Sequence, residues 1–205
     1  MKVPGPFSDY PPKWGTFDHY VKHMPTIAFG FVCGGGDVNR FAARYRAAKT
    51  FRRVEFEDVV IATTDGYSAL CQLLLTFSAF EHFLRCIGVE MQHSLNLLKP
   101  AERPLASASL RKLVGEHELF RWLRPHMTNR SYQRQIDAHL AGQEANLFYL
   151  SGSLRHTFAH GIITATPAGV PPTSVATVCR FLSRGLMRVM DREFEERMTE
   201  FEKFF

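Results

Sequence analysis

The chain is 205 residues long, with 45% hydrophobic and 22% charged residues. These are ordinary proportions for one domain with a packed core, and they exclude disorder over the whole length. Lys and Arg number 25 against 20 Asp and Glu, a net charge of +5, which weakly favours an anionic partner. The chain has 18 Phe beside 2 Trp and 6 Tyr; phenyl rings bring burial without a polar handle, so they belong to core or interface.

No window approaches the roughly 18 consecutive apolar residues of a spanning helix, so no membrane attachment is expected. The start, MKVPGPFSDYPPKWG, has neither an apolar centre nor a cleavage pattern, so it does not read as a secretory signal. Cys33, Cys71, Cys86 and Cys179 are scattered, with no C-x-x-C pair. They read as buried thiols of a reducing compartment, and the expected location is the cytoplasm.

Residues 1–36 form a segment of their own. Pro4, Pro6, Pro11, Pro12 and Pro25 alternate there with Phe7, Tyr10, Trp14, Phe17 and Tyr20, and Gly34-Gly35-Gly36 closes it. The prolines leave room for a turn or two of helix near Phe17 to His23. The aromatics predict a mostly irregular arm that packs on the domain or on a neighbour. No Lys-Ser or Lys-Thr follows the triple glycine, so a hinge is expected there and not a phosphate loop.

Residues 37–205 read as a single all-α domain. Asp37 is the expected N-cap of a helix from Val38 to about Phe51, with Phe41, Tyr45 and Ala48 on one side and a basic face of Arg40, Arg44, Arg46, Lys49, Arg52 and Arg53. Thr64 or Asp65 caps a helix from Tyr67 to about Ile87, whose broad stripe of Leu70, Leu74, Phe77, Phe80, Phe83 and Leu84 suits a central position. Glu90 to Lys99 is a short helix ahead of Pro100 and Pro104. A further helix runs from Ser109 to Leu123 or Arg124, stopped by Pro125, and another from Ser131 to Leu140, ending at Gly142. Gln143 to Gly161 follows, with Gly161 as a left-handed C-terminal residue. Residues 162–172 are a Pro/Gly-rich loop with room for one short strand. Thr173 or Ser174 caps a last helix directed to the C-terminus. Its end, from Asp191 to Phe205, carries six acids against three bases, leaving +8 on residues 1–190.

The chemistry concentrates in the helix from Gln143 to Gly161. Leu147, Leu150, Leu154 and Phe158 form its core stripe. On the opposite side Ala145, Gly152 and Ala159 repeat every seven residues, a line of small residues that lets another helix approach closely. Arg155, His156 and His160 flank this line near the helix C-terminus, where the dipole favours a protonated imidazole. Wheel geometry alone leaves two accounts of them open: surface or capping contacts, or metal binding by His156 and His160 at i, i+4. The metal account needs a third ligand, and carboxylates nearby are scarce, Glu144 being the closest.

The string Leu154-Arg155-His156-Thr157-Phe158-Ala159-His160-Gly161 resembles the signature of HEPN domains (higher eukaryotes and prokaryotes nucleotide-binding). That signature is an Arg, four to six residues and a His, often with a polar residue after the Arg and with Ala-His-Gly at the end. Phe77-Ser-Ala-Phe-Glu81-His-Phe-Leu84 resembles an earlier aromatic and Glu-containing helix of the family, and the order of elements is similar over about residues 60–200.

The resemblance implies a helical bundle, a homodimer through the 143–161 helix with two motif helices facing across a cleft, and no cofactor or metal. Many members are metal-independent ribonucleases, often toxins or defence effectors held by an antitoxin or other regulatory protein; others are binding modules for nucleotides, RNA or proteins. It casts Arg155 and His160 as catalytic, with His156 and Glu81 in support. A basic stretch for RNA is also available: Arg103, Arg111, Lys112, Arg121, Arg124, Arg130 and Arg134 face only Glu102, Glu116 and Glu118 over residues 101–135, with Tyr132 as a stacking surface. A solvated helical face accounts for that stretch equally well.

Overall fold

Apolar spacing of three and four residues resolves, in a computed structural model, into an all-helical protein. Residues 7–57, 59–171 and 173–204 are described; the calls on Pro4, Pro6, Pro172 and Phe205 lie outside them. The α-helices are α1 (Trp14–Tyr20), α2 (Gly35–Thr50), α3 (Ile61–Ile87), α4 (Glu102–Arg111), α5 (Glu116–Leu123), α6 (Arg130–Leu140), α7 (Leu147–Ala159) and α8 (Ser174–Glu202). Short 3-10 turns occupy Thr26–Phe29, Met91–Leu97 and Arg124–His126. No β-strand occurs among the described residues, so the 162–171 loop holds none.

The long helices α3 and α8 pack along one another, with α2 and α7 against α3. α3 is apolar and long enough to cross a membrane, but it forms the centre of the bundle, with Leu70, Leu73, Phe77, Phe80 and Phe83 fully buried.

The arm packs on its own domain. Trp14, Phe17, Phe29 and Phe31 are buried in the same apolar core as α2, α3 and α8. Phe194 of α8 is the common partner of three of them and of Phe41, with ring centroids 5.6 Å from Trp14, 6.1 Å from Phe17, 5.5 Å from Phe31 and 6.2 Å from Phe41, while Phe29 meets Phe201 of α8 at 4.4 Å. Lys13 Nζ and Thr16 Oγ1 reach Glu202 at 2.5 and 2.9 Å, which fastens the start of α1 to the end of α8. The Tyr45 hydroxyl donates to the Asp191 carboxylate, tying α2 to α8; burial pushes both groups up from their ordinary pKa.

Several helix boundaries differ from the sequence reading, each for a physical reason. Gly34 caps α2, and Gly35 and Gly36 form its first turn, so the triplet starts a helix and is no hinge. Asp37 is therefore inside the first turn, where its carboxylate suits the positive helix end and pairs with Arg40 at 2.8 Å. α3 begins ahead of the expected cap, and Asp65 instead forms a two-pronged ion pair with Arg180 of α8. The expected helix from Ser109 to Leu123 is two helices, α4 and α5. Gly115, at φ 70°, breaks them in a left-handed conformation, and a Cβ there would collide with Ser174. Pro104 sits in the first turn of α4, where a missing N–H removes no helical bond.

The arm's aromatics make it part of the core, so Phe17→Ala should cost about 3–5 kcal/mol of unfolding free energy. Denaturant titration measures this; a loss below about 1 kcal/mol would mean that the arm is a detachable appendage.

Candidate active site at the end of α7

α7 starts at Leu147 and not at Gln143, because Asn146 supplies a better cap. Its side-chain oxygen accepts from the Phe148 N–H at 2.9 Å, while its own N–H donates to Gln135 Oε1 at 2.8 Å. Leu147, Leu150 and Leu154 are buried, as the apolar stripe requires, and Phe158 is partly buried. The small-residue line divides differently. Ala145 is buried before the helix begins, and Ala159 is exposed. Gly152 does serve a close approach, but within the chain: a Cβ there would stand 2.9 Å from Phe77 Cζ and 3.0 Å from the Tyr132 ring and hydroxyl.

This crossing sets the geometry beyond it. Ring contacts pair Tyr67 with Phe158 (6.5 Å) and Phe80 with Phe148 (4.8 Å), so α3 and α7 run antiparallel. Side chains lean toward the N-terminus of their helix, so Arg155 and Glu81 incline toward each other's helix across the Gly152 crossing. They meet at 3.5 Å between Nη2 and Oε2, with side chains 33% and 36% exposed. So long and wet a contact is a weak ion pair. The Arg155 guanidinium stands 6.0 Å from the Phe77 ring centroid, and its Nε is buried without a hydrogen-bond partner.

One turn on, the His156 and His160 rings lie 4.4 Å apart, and His156 also stands 6.1 Å from the Tyr132 ring. Partial burial, reinforced by His160 and Arg155, holds the His156 pKa below the ordinary histidine value. Burial, with Glu81 nearby, raises that of Tyr132, against the pull of Arg155. His160 caps the helix and is exposed to solvent; Gly161, at φ 68°, ends it in the expected left-handed turn. The arrangement offers a permanent cation, a neutral imidazole and a freely accessible imidazole within two turns of helix. No third His, Cys, Asp or Glu completes a metal-ligating group among the described residues.

Thus Glu81, Arg155, His156 and His160 come together. Several basic residues of the middle helices have partners within the fold. Arg111 donates to the Gln143 carbonyl, Arg124 forks onto Asp137 at 2.6 and 2.9 Å, and Arg121 contacts His117 at 2.8 Å. Lys112, Arg130 and Arg134 are exposed; the last two share α6 with Tyr132, the element that touches the site. Sequence reasoning treated Tyr132 only as a base-stacking surface, although its spacing to Ile136 and His139 marks the inward face of α6. It also missed the buried pair of His139 and Glu116, 2.7 Å apart.

No protein-family model, curated protein or solved structure matches the chain.

Because the His156 pKa is depressed, the unfolded chain takes up this proton before the folded protein does. The stability tied to His156 is complete above the ordinary histidine pKa and is lost as pH falls through it toward the folded value. Replacing His156 with Gln should flatten the decline in melting temperature between about pH 7 and 5. Buried His82, depressed for the same reason, accounts for a remaining slope. An unchanged slope in the variant contradicts this assignment.

Proposed function

We propose that the protein is a HEPN-like, metal-independent endoribonuclease acting in the cytoplasm as a homodimer. The observation that supports this most is the convergence of Arg155, His156 and His160 at the solvent-facing end of α7, braced by Glu81 and Tyr132. Cleaving RNA without metal needs a base for the 2′-hydroxyl proton and a cation for the crowded phosphorane. His160, exposed at the helix end, takes the proton. Arg155, always charged and able to grip two phosphate oxygens, stabilises the charge. Glu81 aims Arg155, and His156 orients the phosphate.

The 2′-oxygen attacks the adjacent phosphorus as the bond to the 5′-oxygen breaks. That oxygen leaves with a proton from an imidazole, and the products carry 2′,3′-cyclic phosphate and 5′-hydroxyl ends. Two α7 helices facing across a two-fold axis supply two such sets. Exposed apolar Val60, Ile61 and Ile162 border this end and suit contact with a second copy. Lys112, Arg121, Arg130 and Arg134 would follow the RNA backbone, whereas Arg111 and Arg124 are engaged within the fold and contribute less. A toxin or defence effector restrained by a protein partner is a fitting role for such an activity.

One observation favours a second reading, a non-catalytic binding module: Glu81 already faces the Arg155 guanidinium. The two separate in RNA cleavage assays with excess EDTA. The ribonuclease reading expects cleavage that persists in EDTA and falls by about 10²-fold or more in both Arg155→Ala and His160→Ala. Cleavage unaffected by either substitution, as a contaminating nuclease would give, overturns it. Binding of RNA without cleavage by the wild type establishes the second reading in its place.

A further inference from the structure

A second concave site lies away from Arg155 and His160. It is a groove of about 490 Å³ between α4, the first turns of α7 and the middle of α8. Leu98, Leu105, Phe148, Phe181 and Val189 are among its apolar walls, and Leu105 stands 68% exposed at its edge. An apolar-walled concave site of this volume falls in the range of small-molecule pockets, roughly 300–1,000 Å³. The walls offer far less area than the roughly 800 Å² each partner contributes to a stable protein interface.

The rim is cationic. Arg184, Arg188 and Arg192 follow one another at i, i+4 and i+8 along α8, so they share one face. The acid of the rim, Glu102, is taken by Arg192 at 2.9 Å. Arg184 spends its Nε on the Arg180 carbonyl at 3.2 Å, and Arg188 makes no ion pair or hydrogen bond among the described residues. Free guanidinium groups above an apolar trough complement an anion with a hydrocarbon body.

Gly185 is the second observation. It lies in the interior of α8 and lines the groove, and a Cβ built there meets nothing within 4 Å. Glycine weakens a helix interior, and no close backbone approach here requires it. What its missing side chain preserves is open space in the groove.

We infer that this groove binds an aliphatic monocarboxylate of medium chain length, the chain lying along the apolar walls and the carboxylate forked onto Arg188. The planar guanidinium matches two carboxylate oxygens at once. The site is separate from the RNA chemistry proposed at α7 and does not depend on it.

Calorimetric titration of the purified protein with dodecanoate, below its micelle concentration, tests this. One dodecanoate should bind per chain, and dodecyltrimethylammonium, with the same tail and opposite charge, should bind about tenfold more weakly or worse. Gly185→Trp should plug the groove and abolish binding without lowering the melting temperature, since tryptophan suits a helix interior better than glycine. Arg188→Glu, a surface change, should reverse the preference between the two head groups. Absence of dodecanoate binding, equal binding of both amphiphiles, or binding unaltered in either variant overturns the inference.

Discussion

The crossing of α7 over α3 at Gly152 is the constraint on which the α7 end depends. Only a residue without a side chain lets Phe77 and Tyr132 come so near the α7 backbone. From that contact the rest follows by helix geometry. Arg155, one turn further, is brought within reach of Glu81, and His156 comes against Tyr132. The helix then leaves the core, so Ala159 and His160 emerge into solvent. Three helices are needed to assemble the site, although its reactive groups come from one.

The far side of the bundle has the opposite character. There Phe194 gathers rings from α1, the arm and α2, and Glu202 fastens the arm's first helix through Lys13 and Thr16. Aromatic burial supplies stability in bulk and with little demand for exact partners. The polar end, by contrast, holds a guanidinium with a long ion pair, an unpartnered buried Nε and a histidine held below its usual pKa. Such groups cost stability to assemble, and the packed aromatic end offsets that cost. The net charge of +5 conceals the same polarity, since residues from Asp191 onward carry six acids against three bases.

Much of this was legible from local pattern. The all-α class, the core stripe of α7, the central place of α3 and the left-handed Gly161 all follow from periodicity and end signals that act within a few residues. What was not legible depends on distant partners. Gly115 breaks a helix because Ser174 and Pro171, far along the chain, crowd the place of its Cβ. Gly152 reads as one of three small residues in a line, yet its neighbour is Tyr132 of the same chain, so no continuous seam exists. Asn146 outcompetes Gln143 as the start of α7 through a cap that the apolar pattern does not encode. The contact of Glu81 with Arg155 spans 74 positions and was suggested only by resemblance. The groove beside Gly185 needs three helices to exist, so no local pattern announces it.

The proposed reaction turns on one atom, the 2′-hydroxyl of the RNA, which His160 would deprotonate and Arg155 would help to become a cyclic ester. The most direct measurement is therefore cleavage of a strand in which a single preferred position is changed from ribose to deoxyribose, with EDTA present throughout. The account predicts that cutting at that position disappears while the all-ribose strand is still cut there to a 2′,3′-cyclic phosphate. Cutting at the deoxyribose position, or failure to cut the all-ribose strand, contradicts it.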